Sequence, residues 1–129
     1  MMFKTVEEFN KEIIGIDRDR PQQLEAKEFE WLIGAFEEEI IELNDARAEG
    51  NIVDQIDAIM DLIYFACGGI TRMGVKHEMA TNIFNIIHEA NMQKARGKKE
   101  GRAVDFELDA SKPEGWQAPE ERIRKIMGI

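Results

Sequence analysis

Cysteine is almost missing from the chain. Cys67 is the only one in 129 residues, so an internal disulfide is excluded and a reducing cytoplasm is the expected location. Long hydrophobic runs are missing as well. The longest, Ala58 to Cys67, is too short to span a bilayer and contains Asp61, so no membrane span is expected. The stretch from Met1 to Glu8 has acidic residues where a secretory signal needs apolar ones, and no export signal is expected. Positive charge is scarce: 17 Lys and Arg stand against 26 Asp and Glu, a formal net charge of -9. Such a field repels a polyanion, which argues against broad nucleic-acid binding. It still permits a phosphate ligand held through a divalent cation, provided the carboxylates are arranged to hold one.

The length suits one domain with one modest core. With 43% hydrophobic and 33% charged residues the composition is that of a globular chain. A single domain over residues 1–129 is expected, with a core over about 3–95 and a tail over about 96–129. No internal repeat is evident, and nothing predicts a parallel sheet.

Apolar residues at Phe3, Val6, Phe9 and Ile13 share one helical face, which predicts a short first helix up to Ile14. Gly15 to Pro21 carries turn and breaker residues and reads as a loop. From about Gln23 to Glu49, the spacing of Phe29, Leu32, Ile33, Phe36, Ile40 and Leu43 predicts a second helix with one apolar face. Gly50-Asn51 ends it. A third helix follows from about Ile52 to Met73, closed by Gly74 as a left-handed cap. The short connection predicts that helices two and three pack antiparallel. A fourth, from about Lys76 to Ala95, carries Met79, Ala80, Ile83, Phe84, Ile87 and Ala90 on one side. Beyond it the chain turns basic and glycine-containing, then ends in a short amphipathic stretch at Ile123, Ile126 and Met127. The expected fold is all-α, an antiparallel bundle of about four helices with a mostly irregular C-terminal tail.

The carboxylates carry the functional argument. On helix two, Glu38, Glu39 and Glu42 lie together beside the apolar stripe, while Glu37 points away. Like charges at that spacing cost an isolated helix about 0.2–0.5 kcal/mol per pair. A solvated acidic face explains this helix as well as a cation does. Helix three tips the balance, because every residue from Ala58 to Cys67 except Asp61 is apolar, and a helix apolar all round is normally buried. An unpartnered buried carboxylate costs several kcal/mol, so Asp61 calls for a cation or a raised pKa. Asp57 lies one turn earlier on the same face. Asp54, a turn before that, reads as a solvated first-turn residue favoured by the helix dipole. An all-oxygen set of Glu38, Glu39, Glu42, Asp57 and Asp61 suits magnesium or manganese, and the lack of a Glu-x-x-His pair weakens a di-iron alternative.

Glu38-Glu39-Ile40-Ile41-Glu42 followed by Asp57 to Tyr64 resembles the carboxylate pattern of the MazG-like nucleotide pyrophosphohydrolases, all-helical relatives of phosphoribosyl-ATP pyrophosphohydrolase. His88-Glu89-Ala90-Asn91-Met92-Gln93-Lys94 is similar to a segment that follows those carboxylates in phage and bacterial members. Lys112-Pro113-Glu114-Gly115-Trp116-Gln117-Ala118-Pro119 resembles the sequence that closes many of those chains. The chain departs from the pattern at Ala58, where many members have Glu, and Asp57 stands one residue before it.

This resemblance implies a magnesium-dependent hydrolase that splits a nucleoside triphosphate into a monophosphate and pyrophosphate, with manganese a substitute ion. It implies that Glu39, Glu42 and Asp61 hold the metal with help from Asp57, that Glu38 activates water, and that Asn91, Lys94, Lys112 and Trp116 contact the substrate. For Trp116, anchoring the tail is the competing role. A homodimer or homotetramer that completes the bundle is also implied. Two alternatives stand beside this: a hydrolase of phosphoribosyl-ATP or another nucleotide, and a non-catalytic helical protein whose acidic face binds a basic partner.

Overall fold

The computed structural model describes all residues, 1–129, as an all-α fold with a mostly irregular C-terminus. Helix α1 (Met2–Phe9) runs on through a π-helical stretch, Asn10–Ile14, and stops at Gly15 in the left-handed region. Helix α2 covers Ala26–Ala48, α3 Ile52–Arg72 and α4 His77–Asn91. A two-residue antiparallel ladder pairs β1 (Ala95–Arg96) with β2 (Ala110–Ser111), and α5 (Glu120–Met127) follows. No single helix is long and apolar enough to cross a membrane. The chain forms two compact units, Met1–Ala80 and Thr81–Ile129.

In the first unit α2 and α3 form a hairpin. The Asn51 side chain caps α3 by accepting from the Asp54 amide at 3.0 Å, which satisfies one of the four orphan donors of a helix start. Asp54 is exposed in the first turn, as expected of a solvated residue there. Leu32 lies against Gly69, Glu39 and Glu42 face Asp61, and Asp45 and Glu49 share a recess with Asp54. Rising numbers on α2 meet falling numbers on α3, so the pair is antiparallel. The seam is built of small residues: Ala35, Ala46, Ala58, Gly68 and Gly69 are all buried or nearly so. Helix α1 crosses α3 above Gly68, with Val6 buried and the Asn10 carboxamide donating to the Gly68 carbonyl.

The loop between α1 and α2 closes the end of α3. Arg18 Nη1 donates to the Arg72 carbonyl at 2.8 Å, and the Gln22 amide to the Met73 carbonyl at 2.9 Å. These occupy carbonyls that a helix end leaves unpaired. Gly74 sits at φ 84° with the backbone of Arg20 directly against it, so any side chain there would meet both strain and a clash.

Two expectations need correction. The apolar stripe of α2 is only partly its buried face: Leu32 is buried and Phe36 and Leu43 half-buried, but Phe29, Ile33 and Ile40 are exposed, and Ala35, Glu39 and Ala46 are buried beside Leu32. Likewise α3 is not buried all round, because Ile52, Ile56, Ile59, Met60 and Ile63 are exposed on the side away from α2. Periodicity identifies an apolar face but not what covers it, and these two faces have no cover within the chain.

In the second unit α4 ends four residues earlier than its pattern predicts. The Ala90 carbonyl is taken by the Trp116 indole N–H at 2.7 Å, and Ala95–Arg96 pair with β2. The ladder and a contact from far along the chain override a helix-compatible sequence. Ile86, and not Ile87, is the buried isoleucine of this helix. Arg122 pairs with Glu89 at 2.7 Å, holding α5 to α4.

Candidate metal centre

The hairpin geometry brings carboxylates from both helices together. Glu39, Glu42 and Asp61 have ligand oxygens that all lie within 4.8 Å of one another. Glu39 is only 8% exposed, Asp61 is half-buried and Glu42 is exposed. The deeply buried acid is therefore Glu39 and not Asp61, which reverses the expectation drawn from the apolar run of α3. The reason is the seam: Glu39 points between two helices that approach through alanine and glycine, whereas Asp61 lies at the edge of the groove.

Glu39 Oε2 is buried with no hydrogen-bond partner. Burial, contact with Glu42 and the charges of Asp61 and Asp57 push its carboxyl up to about 7. Burial and the charges of Asp57 and Glu42 also raise Asp61. Asp57 is exposed and lies outside the tight group, yet its charge acts on both partners. Glu38 is exposed on α2, beside the cluster and outside it.

The residues fit a hard divalent cation. All the donors are carboxylate oxygens, and one buried oxygen is orphaned, the condition a bound ion would relieve. No cation from the protein serves instead, since only acids act on Glu39 and Asp61.

A contrasting cluster, with no signal in the sequence, sits three turns earlier on α2. Glu28 accepts from Arg18 at 2.8 Å and from Arg72 at 2.9 Å. Burial works against its charge, but the two guanidiniums hold its carboxyl below the ordinary value. Its partners come from 10 and 44 residues away, so no local spacing reveals it.

In the second unit the remaining candidate residues gather around Trp116. Lys94 Nζ lies 5.1 Å and Lys112 Nζ 4.9 Å from the centroid of its ring. Asn91 is the last residue of α4 and exposed. The Trp116 N–H is committed to Ala90, which makes this residue an anchor of the tail.

A search of curated proteins finds no match to the chain. The sequence profile of the family described as Phosphoribosyl-ATP pyrophosphohydrolase matches residues 6–91, a span that takes in α2, α3 and every carboxylate described above. With that match over most of its length, the chain belongs to the phosphoribosyl-ATP pyrophosphohydrolase family, hydrolases that act on phosphoric anhydride bonds.

Proposed function

We propose that the protein is a magnesium-dependent nucleoside triphosphate pyrophosphohydrolase that releases a nucleoside monophosphate and pyrophosphate. The observation that carries this is the Glu39–Glu42–Asp61 cluster with its unpartnered buried oxygen. Glu39, Glu42 and Asp61, assisted by Asp57, would hold the ion, with manganese a substitute. When bound, the ion supplies charge neutralisation for the phosphates and polarises the phosphorus for attack. Glu38, exposed one residue from Glu39, would orient the attacking water and accept its proton, a role that rests on the resemblance. Glu39 is buried in the α2–α3 seam, which limits its contact with solvent. Asn91, Lys94, Lys112 and Trp116 are proposed substrate contacts on the resemblance of their two segments. The lysine pair beside Trp116 supports a cationic role for that segment.

The family match favours phosphoribosyl-ATP as a second substrate candidate, since the same anhydride chemistry serves it. A cytoplasmic location is proposed on the lone cysteine. The exposed apolar faces of α2 and α3 support pairing with a second copy, as a homodimer or homotetramer.

The test is incubation of the purified protein with ribo- and deoxyribonucleoside triphosphates and with phosphoribosyl-ATP, plus magnesium or manganese, resolving the products by chromatography. Monophosphate with pyrophosphate is expected. Diphosphate with phosphate, or no turnover of any substrate, would overturn the proposal.

A further inference from the structure

Residues 95–111 form an arm that the family profile, ending at residue 91, does not reach. Its base is braced. Ala95–Arg96 pair with Ala110–Ser111, the Gly97 amide donates to the Asp109 carbonyl at 2.9 Å, and Arg102 pairs with Asp109 at 3.0 Å. Lys98 stands 3.6 Å from Glu107. Within this frame Val104, Asp105, Phe106, Glu107 and Leu108 alternate apolar and acidic, the period of a strand with one apolar side. The segment bends and joins no ladder, and Val104, Phe106 and Leu108 are 72%, 55% and 70% exposed. Three large apolar side chains within five residues, carried on a braced arm, mark a contact surface whose cover comes from outside the chain.

The outer side of α2 matches it. At about 100° per residue Phe29, Ile33 and Ile40 fall within about 40° of one another, with Glu37 and Glu30 flanking them on one side. All five are exposed. The two surfaces agree in charge. Because Lys98 and Arg102 are held by acids of the arm, Arg96 and Lys99 are the exposed cations it keeps outside any salt bridge, and Glu30 and Glu37 are two acids to meet them. They agree in length as well. An extended run from Val104 to Leu108 reaches about 13 Å, and the stripe from Phe29 to Ile40 about 16 Å along its helix. The exposed face of α3 is a poorer match, since Ile52, Ile56, Ile59, Met60 and Ile63 offer the arm's cations nothing.

We propose that the arm docks on the outer stripe of α2 in a second copy of the chain, with Val104, Phe106 and Leu108 against Phe29, Ile33 and Ile40, and Arg96 and Lys99 against Glu30 and Glu37. This rests on the pairing of copies read above and names the element that reaches across. One arm alone covers too little area for a stable interface, which needs about 1,000 Å². An isologous exchange, each copy giving one arm and receiving one, doubles the contact and closes on a two-fold axis.

Photo-cross-linking tests the exchange directly. The full chain carries p-benzoylphenylalanine in place of Phe106, an exposed position where the change leaves the fold intact. Equal amounts of isotope-labelled and unlabelled protein are mixed, irradiated and digested, and the joined peptides are read by mass spectrometry. Peptides that link residue 106 to the stretch from Phe29 to Ile41 in mixed-isotope form are expected. Sedimentation equilibrium supplies a second measurement. Phe106→Ser should weaken self-association at least about tenfold, the effect of withdrawing one large apolar side chain. Glu30→Lys with Glu37→Lys should weaken it at least about threefold, and adding Arg96→Glu with Lys99→Glu should restore it. Cross-links confined to one copy, cross-links from arm to arm or to α3, or self-association unchanged by Phe106→Ser overturns the proposal. An oligomer that forms without the arm-to-α2 link overturns the docking and keeps the pairing. A monomer at every concentration overturns both.

Discussion

Glu28 and Glu39 are the same residue type on the same face of the same helix, three turns apart, both turned toward α3, and their surroundings are opposite. Glu28 sits between Arg18 and Arg72 and is held below its ordinary pKa. Glu39 sits among Glu42, Asp61 and Asp57 and is pushed up to about 7. The first carboxylate is complete within the protein: its charge is matched, and it ties the α1–α2 loop to the end of α3. The second is incomplete, with a buried oxygen that nothing in the chain satisfies. Evolution of a stable fold alone has no use for such a group, since an apolar residue would serve better. The difference separates a carboxylate that holds the fold together from one that is kept for a ligand.

The largest expected effect breaks the comparison at Glu39. Glu39→Gln should lower turnover by about a thousandfold, the scale of several kcal/mol of lost transition-state stabilisation. The same change should raise the Tm of the metal-free protein at neutral pH, because it removes a buried like-charge conflict. Steady-state kinetics beside a thermal melt would check both, and a variant as active as the parent would remove Glu39 from the site.

Glu28→Gln should do the opposite. It strands Arg72, whose side chain is 11% exposed, and should cost about 2 kcal/mol of stability, the scale of a hydrogen bond to a charged group. Urea unfolding measures this directly. A variant as stable as the parent would show that the guanidiniums find other partners.

The smallest effect sharpens the comparison through pH. For Glu39 the ordinary carboxyl value is 4.5 and the folded value is about 7. Between them the folded protein binds a proton that the unfolded chain has released, so stability falls as pH rises across that window. It levels off once Glu39 is ionised in both states. The metal-free Tm should therefore decline from about pH 4.5 to above pH 7. Excess magnesium, which competes with the proton, should flatten the slope, as should Glu39→Gln. A metal-free Tm that rises steadily over the same range would contradict the assignment. Glu28 contributes the reverse slope at lower pH, because its depressed carboxyl stabilises the fold above its ordinary value and loses that contribution as pH falls.

Much of the fold is legible in local pattern. The stop of α1 before Gly15, the turn at Gly50-Asn51 and the left-handed Gly74 follow from residues that act on their own backbone. So does the shared face of Glu39 and Glu42, a consequence of helix pitch. The boundary of α4 was not legible, because Trp116 reaches back to Ala90 across 26 residues and Ala95–Arg96 pair with a strand that lies well beyond the helix. Nor was the identity of the buried acid. The apolar run around Asp61 points to burial of α3, but burial depends on which face meets a neighbour, and the outer faces of Ile56, Ile59 and Ile63 meet none.

The sequence by itself determined the main helices, the hairpin of α2 and α3, and the helical faces from which Glu39, Glu42 and Asp61 meet, because helical pitch and a short turn leave little freedom. Only the tertiary structure decided that Glu39 is the orphaned group and that Arg18 and Arg72 neutralise Glu28. Those facts depend on how closely two backbones approach and on contacts between residues distant in the chain, which no local periodicity encodes.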